Sequence, residues 1–181
     1  MSRRIRRLGT ADRDAMVAWA NTVPEHDLLF LGRDLRHPRV VEAWLDAIGE
    51  GWIDGFVAEE EGDGGAVLGT AALVRDPLGW SAHVGEVRLL VSAGRRGSGL
   101  GRDLLECVFS AALEHGLAKL TAAMTPDQEG AVALFEGMGF RAEACLRDQV
   151  RGRDGVAHDL VILSYDAARA AGRRAAFGVS D

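Results

Sequence analysis

Several things are scarce in this sequence. It has two cysteines, Cys107 and Cys145, far apart and in no CxxC pair. A disulfide-stapled scaffold is therefore excluded, and two reduced thiols suit a reducing compartment. No H-x-x-x-H or Cys/His spacing offers a metal site, so no metal is expected. Positive charge is not in surplus. Lys plus Arg is 21 against 27 for Asp plus Glu, a formal net charge of −6. A generic nucleic-acid binder needs a basic field, so this balance argues against one. A mildly acidic surface is compatible with a small cationic substrate. No apolar run approaches the roughly 18 residues of a membrane span. The basic opening Arg3-Arg4-Ile5-Arg6-Arg7 is followed by no apolar stretch, so it does not read as a signal peptide. There is no internal repeat and no long linker. A cytoplasmic protein is expected, without membrane or nucleic-acid partners.

What is present suits a globular chain. Of 181 residues, 48% are apolar and 27% charged, enough to bury a core without staples. Periodicity predicts an opening strand with Ile5 and Leu8. Asp12 then caps a helix carrying Met16, Trp19 and Ala20. A second helix starts near Pro38, with Val40, Val41, Trp44, Leu45 and Ile48 as its stripe, and Gly49 and Gly51 end it. Between them Glu25-His26-Asp27-Leu28-Leu29-Phe30 reads as a loop. Glu25, His26 and Asp27 there form either an acidic mouth for an amine or a solvated surface. Strands follow over 52–59, 66–74 and 83–91, the first two joined by a glycine-rich hairpin turn. A long helix over 100–115 has Leu100, Leu104, Leu105, Val108 and Leu113 as its inner face. Then come a strand (117–124), a helix (127–138) closed by Gly139, and a final hairpin (140–150 and 156–165). The order β-α-α-β-β-β-α-β-α-β-β is that of an α/β or α+β domain.

The informative stretch is where the third central strand meets the long helix. Ser92-Ala93-Gly94-Arg95-Arg96-Gly97-Ser98-Gly99-Leu100-Gly101-Arg102 is a glycine-rich turn opening a helix. Glycines let backbone N–H groups converge, and the helix end adds unpaired N–H groups and a positive dipole. With Arg95, Arg96 and Arg102 around it, the turn reads as an anion cradle, for phosphate above all. It lacks the Gly-Lys-Ser/Thr of a Walker A loop and the spacing of a dinucleotide fingerprint.

Arg96-Gly97-Ser98-Gly99-Leu100-Gly101 does resemble the R/Q-x-x-G-x-G/A signature of the GCN5-related N-acetyltransferase (GNAT) superfamily. Ala131 to Phe140 resembles that family's A-x-x-L-Y-x-x-x-G-F element. The likeness covers roughly residues 53 to 165, and the first fifty only by layout. It implies a mixed, mostly antiparallel sheet of about seven strands with about four helices, splayed between the fourth and fifth strands. Residues 1–166 would be a single acyl-CoA N-acyltransferase domain, with 167–181 a C-terminal tail. The implied co-substrate is acetyl-CoA, its pyrophosphate on Arg96, Gly97, Ser98, Gly99, Leu100 and Gly101, with Arg102 close by. Its pantetheine arm would lie along Leu89, Leu90 and Val91. The implied reaction is direct attack by a primary amine of a small-molecule, peptide or protein acceptor in a ternary complex. The resemblance leaves room for a homodimer.

Such chemistry needs a proton acceptor, because an alkyl ammonium is charged at neutral pH, and a donor for the developing oxyanion. The resemblance puts the oxyanion donor at the Val91 N–H. Glu86, five residues earlier, is the expected base. The plainer alternative is that it pairs with Arg88 and only holds the sheet. Strand alternation puts Glu86, Arg88 and Leu90 on one face and Val87, Leu89 and Val91 on the other. His83 reads as a partly exposed strand-end residue, with a base or substrate contact as the alternative. Gln128 stands where many relatives carry a cofactor-contacting asparagine, and Thr125-Pro126-Asp127-Gln128 is also a capping box with proline at N1. Phe135 stands where a tyrosine often serves as general acid, so that role is empty or filled elsewhere. Phe135 is expected against the pantetheine arm or the core. Leu28, Leu29 and Phe30 read mainly as core, while the resemblance implies that their loop lines the acceptor pocket. A second reading stays open: a CoA-binding module of this fold that has lost catalysis and acts as a sensor.

Overall fold

A computed structural model describes residues 3–31, 33–62 and 65–167. Nearly all of the expected tail, 168–181, and two residues of the first hairpin turn lie outside them. The strands are β1 (Arg3–Arg7), β2 (Ile53–Glu60), β3 (Val67–Arg75), β4 (Val84–Val91), β5 (Lys119–Met124), β6 (Arg141–Arg151) and β7 (Ala157–Asp166). The α-helices are α1 (Arg13–Ala20), α2 (Pro38–Gly49), α3 (Leu100–Glu114) and α4 (Glu129–Gly137). The strands form one sheet in the order β1-β2-β3-β4-β5-β7-β6. Every pairing is antiparallel except β4 with β5. That parallel pairing covers only Val84–Lys119, Gly85–Leu120 and Glu86–Thr121, after which the two strands part. This is the expected mixed sheet, opened between its fourth and fifth strands.

Each face of the sheet carries a separate apolar core. On one side Leu100, Leu104, Leu105, Val108, Ala111 and Ala112 of α3 pack on Leu73, Val87 and Leu120, with Phe135 and Phe140. On the other, α1 and α2 bring Met16, Trp19, Val41 and Leu45 onto Val57 and Leu90. The β4 alternation is as expected: Val87, Leu89 and Val91 belong to the α3 side and Leu90 to the other. Each fully buried leucine or phenylalanine contributes about 1.5–3 kcal/mol.

Some local expectations are corrected. Leu113 is 75% exposed, and Ala111 and Ala112 take the inner face instead. The α3 stripe runs 100, 104, 105, 108, 111, 112, and residue 113 lies a further 100° or so round the helix. Asp12 makes no capping hydrogen bond to α1. Its carboxylate accepts from the Gly9 N–H at 2.8 Å and from Arg6 at 2.7 and 2.9 Å. The Glu25–Leu31 segment is a run of 3-10 helix rather than an open loop. The fourth helix starts at Glu129, two residues later than expected. Only half of the capping box forms: the Gln128 Oε1 accepts the Thr125 N–H at 3.2 Å, which closes 125–128 into a turn of its own. The α2 start is as read, with Pro38 in the first turn and the His37 ring accepting from the Arg39 N–H at 3.3 Å. Among the described residues, no helix is long and apolar enough to cross a membrane.

Candidate active site

The parting of β4 from β5 opens a cleft of about 660 Å³. The turn 95–102 forms one end of its wall. Leu89, Leu90 and Val91 line its side, and Asp127 to Ala131 with Leu134 lie opposite. Gly97 and Gly99 have φ of +73° and +81°, the left-handed region that a side chain disfavours. Gly99 is the residue before α3, and no side chain caps that helix. The first-turn N–H groups of Leu100, Gly101 and Arg102 therefore have no partner within the helix. Gly101 is required by close approach: a Cβ there would sit 2.8 Å from Leu134 Cδ2 and 3.6 Å from Leu89 Cδ2.

The β4 backbone is equally well disposed. The Ser92 N–H donates to the Leu68 carbonyl at 2.9 Å, across β3. In an antiparallel ladder successive N–H groups alternate sides. With Val91 opposite Gly69 and Leu89 opposite Ala71, the N–H groups of Val91 and Leu89 point away from β3, into the gap.

The three arginines of the turn all line the cleft, and two of them are already in ion pairs. Arg96 pairs with Asp27, and Arg95 with Glu60. Asp27 is 7% exposed, so the Arg96 pair ties the glycine turn to the 3-10 segment after α1. Trp19 adds a second tie, its Nε1–H donating to the Ser92 Oγ at 2.7 Å. Neither tie is legible in the sequence, because the partners are 69 and 73 residues apart. Of the two readings of Glu25, His26 and Asp27, the acidic mouth does not form, and Asp27 is buried rather than solvated. Glu25 binds Arg36 and the Arg153 N–H, Asp27 faces Arg96, and His26 turns to Asp127 at 2.8 Å. The Thr125 hydroxyl and the adjoining His26 hold the Asp127 carboxyl below its ordinary value. His26 lines the cleft and meets the His158 ring edge-on at 5.1 Å.

Glu86 carries the ion pair of the plainer reading, its Oε1 accepting from Arg88 Nε at 2.7 Å and its Oε2 from Nη2 at 3.2 Å. Its side chain is 41% exposed. It shares a sheet face with Arg88 and Leu90, and that face fronts a second, smaller cavity of about 290 Å³ beneath α2. The two cavities have Leu89 and Leu90 in both their linings, so both reach the stretch of β4 that edges the gap. Arg88 and Val74, the cross-strand partner of Glu86, line the second cavity.

Not every expected site residue reaches the cleft through its side chain. Leu100 is buried in the α3 core, so only its main-chain amide faces the turn. Phe135 is buried edge-on against Phe140 at 5.0 Å and lies in the core, not along the cleft. The Ser98 hydroxyl donates to the Arg95 carbonyl at 2.7 Å and does not line the cleft. Gln128 does, with its carbonyl oxygen already taken by Thr125. Tyr165 packs on Phe109 and Phe140 at 5.0 and 5.7 Å and is not in the cleft wall. Leu28 is core, whereas Phe30 lines the large cleft and Leu31 the small cavity. Burial, with Glu106 and Asp103, pushes the Cys107 thiol up, so it is no ready nucleophile.

A family model described as the acetyltransferase (GNAT) family matches residues 16–140. The chain belongs to the GNAT acetyltransferase family. Among curated GNAT relatives, mouse (Mus musculus) N-acetyltransferase 8 is 33% identical over 104 residues, which is 56% of this chain and 43% of that protein. The probable N-acetyltransferase family 8 member 5 of Mus musculus is 32% identical over 104 residues, again 56% and 43%. The aligned stretch thus spans less than half the length of these relatives. Solved structures show the GNAT fold more fully. An N-acetyltransferase from Staphylococcus aureus Mu50 superimposes with a TM-score of 0.78 at 21% identity, over 92% of this chain and 99% of that one. Spermidine N-acetyltransferase from Vibrio cholerae, in complex with CoA and spermine, gives a TM-score of 0.73 at 16% identity, over 92% and 96%.

Around the small cavity of this GNAT chain, Asp34 holds Arg36 at 2.9 Å and also pairs with Arg153 of the β6–β7 turn. The hydrogen bond from Arg36 lowers the Asp34 carboxyl from 3.8 to about 2. A carboxyl lowered on folding stabilises the protein fully above its unfolded value and loses that contribution as pH falls through the folded one. The contribution should therefore fade between pH 3.8 and about 2. Asp34→Asn should lower the melting temperature at pH 6 and make the acid limb of a melting-temperature profile shallower in that window. An unchanged profile would mean the cluster adds nothing.

Proposed function

We propose that residues 1–166 act as a single domain that transfers acetyl from acetyl-CoA to a primary amine by direct attack. One observation carries this reading. A cleft walled by main-chain amides and a second cavity both reach Leu89 and Leu90, the two lining residues they share. That is the arrangement two substrates need to react with each other in place.

The residues fit the co-substrate. The uncapped α3 end, with Gly97, Gly99 and Gly101 leaving the amides bare, suits a pyrophosphate. Arg102 and the pair-held Arg96 flank it. The gap-facing N–H groups of Leu89 and Val91 suit the amide carbonyls of a pantetheine arm and the thioester oxygen. Acetyl-CoA supplies the activated acetyl group. The chain supplies position, an oxyanion donor and a proton acceptor.

Glu86 is the proposed proton acceptor. It stands three to four residues from Leu89 and Leu90, about 10–13 Å along the strand, so its proton arrives through water. Arg88 keeps the carboxylate oriented. The amine nitrogen bonds to the thioester carbon first, placing negative charge on the oxygen that the gap-facing N–H holds, and the carbon–sulfur bond then breaks. One amine proton goes by way of water to Glu86, and the second leaves with the sulfur. With Phe135 in the core and Tyr165 outside the cleft wall, no tyrosine serves as acid. A thiol is acidic enough to need little help.

Acetyl-CoA at one hundred times its Kd should raise stability by about 2.7 kcal/mol, or roughly 5–10 °C in Tm. ATP and NAD should give no such shift. Thiol release across a panel of amines then separates an enzyme from a CoA-binding sensor. A shift without release on any amine would favour the sensor, and no shift would defeat both.

A further inference from the structure

The small cavity beneath α2 has a character that acetyl transfer alone does not require. At about 290 Å³ it lies at the lower end of small-molecule sites, which run from about 300 to 1,000 Å³. Its wall is apolar, with Leu35, Val40, Trp44 and Ile53 among the lining residues. Among the described residues that line it, none is acidic, while Arg33 and Arg88 are basic.

The two arginines differ. Arg88 gives its Nε and Nη2 to Glu86, so that pair is close to neutral. Arg33 is exposed and makes no hydrogen bond or ion pair among the described residues. Its neighbours are otherwise supplied, since Asp34 is held by Arg36 and Arg153. The cavity therefore carries one uncompensated positive charge. The same wall includes Trp44, whose indole N–H is shut off from solvent and is the one buried side-chain donor among the described residues with no acceptor.

A polyamine or aminoglycoside would meet a cation and apolar walls there, with nothing to hold its further ammonium groups. An amine with an apolar body and an oxyanion would find both needs met. Resting on the acetyl-transfer reading above, we propose that the acceptor is a small apolar amine bearing a carboxylate, in the manner of a bulky apolar α-amino acid, with its carboxylate on Arg33. The apolar body fills the space under α2, and the amine faces Leu89 and Leu90. Arg33 is then a specificity residue for the acceptor. It takes no part in proton transfer.

Matched amines test this. Values of kcat/KM are compared for L-phenylalanine against 2-phenylethylamine and for L-leucine against 3-methylbutylamine, with spermidine as the polycation. A charge-assisted bond to the carboxylate should favour the amino acid of each pair by about ten- to a hundredfold. In Arg33→Gln that ratio should fall close to one, and Arg33→Lys should keep part of it. A separate binding measurement uses 3-phenylpropanoate, which has no amine to acetylate, titrated into the CoA-loaded protein by calorimetry. Its affinity should drop by a similar factor in Arg33→Gln. Equal or better use of 2-phenylethylamine or spermidine would overturn the proposal while leaving acetyl transfer standing. If no amine reacts, yet acetyl-CoA stabilises the protein and 3-phenylpropanoate binds in an Arg33-dependent way, the carboxylate site stands and the catalytic reading fails. Binding of 3-phenylpropanoate that ignores Arg33 would overturn the site itself.

Discussion

Replacing Glu86 with glutamine should lower kcat by about a hundredfold, in line with the 10²–10⁴ usually lost with a general base. The substitution keeps size and shape and removes only the ability to take a proton. Glutamine can still accept one hydrogen bond from Arg88, so the strand should hold its place. KM for acetyl-CoA should barely move, because the glycine turn is on the far side of Leu90 from this residue. The slowed reaction should recover with rising pH, as more of the amine arrives already neutral, whereas the unsubstituted protein needs less alkali. A rate that is unchanged at every pH would show that Glu86 only braces the sheet through Arg88. The ion pair seen here is the ground for taking that outcome seriously, and the pH profile tells the two roles apart.

The second large effect concerns stability. Phe140 is fully buried, with its ring meeting Phe135 edge-on at 5.0 Å, Phe109 at 6.0 Å and Tyr165 tilted at 5.7 Å. Removing a buried phenylalanine ring costs its transfer energy and leaves a cavity, about 3–5 kcal/mol together. For a chain of this size that is a Tm loss of about 10 °C or more. The gap between α3 and the β6–β7 hairpin would be lined by three aromatic rings, which are stiff and collapse poorly. Phe140→Leu should recover much of the loss by refilling the space. A drop under about 1 kcal/mol for Phe140→Ala in urea unfolding would mean the cluster closes over the hole. Phe135→Ala belongs to the same cluster and should lower stability too, rather than selectively weaken the binding of acetyl-CoA.

The element pattern was largely legible because its signals are local. Pro38 and Gly49 mark the ends of α2, and a leucine stripe with the right period marks α3. The glycine turn was legible for the same reason: the need for bare amides and left-handed backbone at a helix start is written in adjacent residues. Local signals mislead where two of them compete. Thr125 to Gln128 looks like the first turn of a helix and is a separate turn, since Gln128 reaches back to the Thr125 N–H instead of leaving it to a continuing helix. Leu113 looks apolar enough for the core, and its angle on α3 turns it outward.

The run of residues by itself determined that a strand ends in an amide cradle opening a helix, and that an acidic residue lies a few positions upstream on that strand. Those are properties of neighbours in the chain. Only the tertiary structure decided at which residue β4 and β5 part, that Arg96 is held by Asp27 from 69 residues away, and that a cationic, apolar cavity reaches the same Leu89 and Leu90 as the cleft. Such features arise from segments far apart in sequence brought together by burial of two cores on opposite sides of one sheet, and no local spacing encodes which distant charges will meet there.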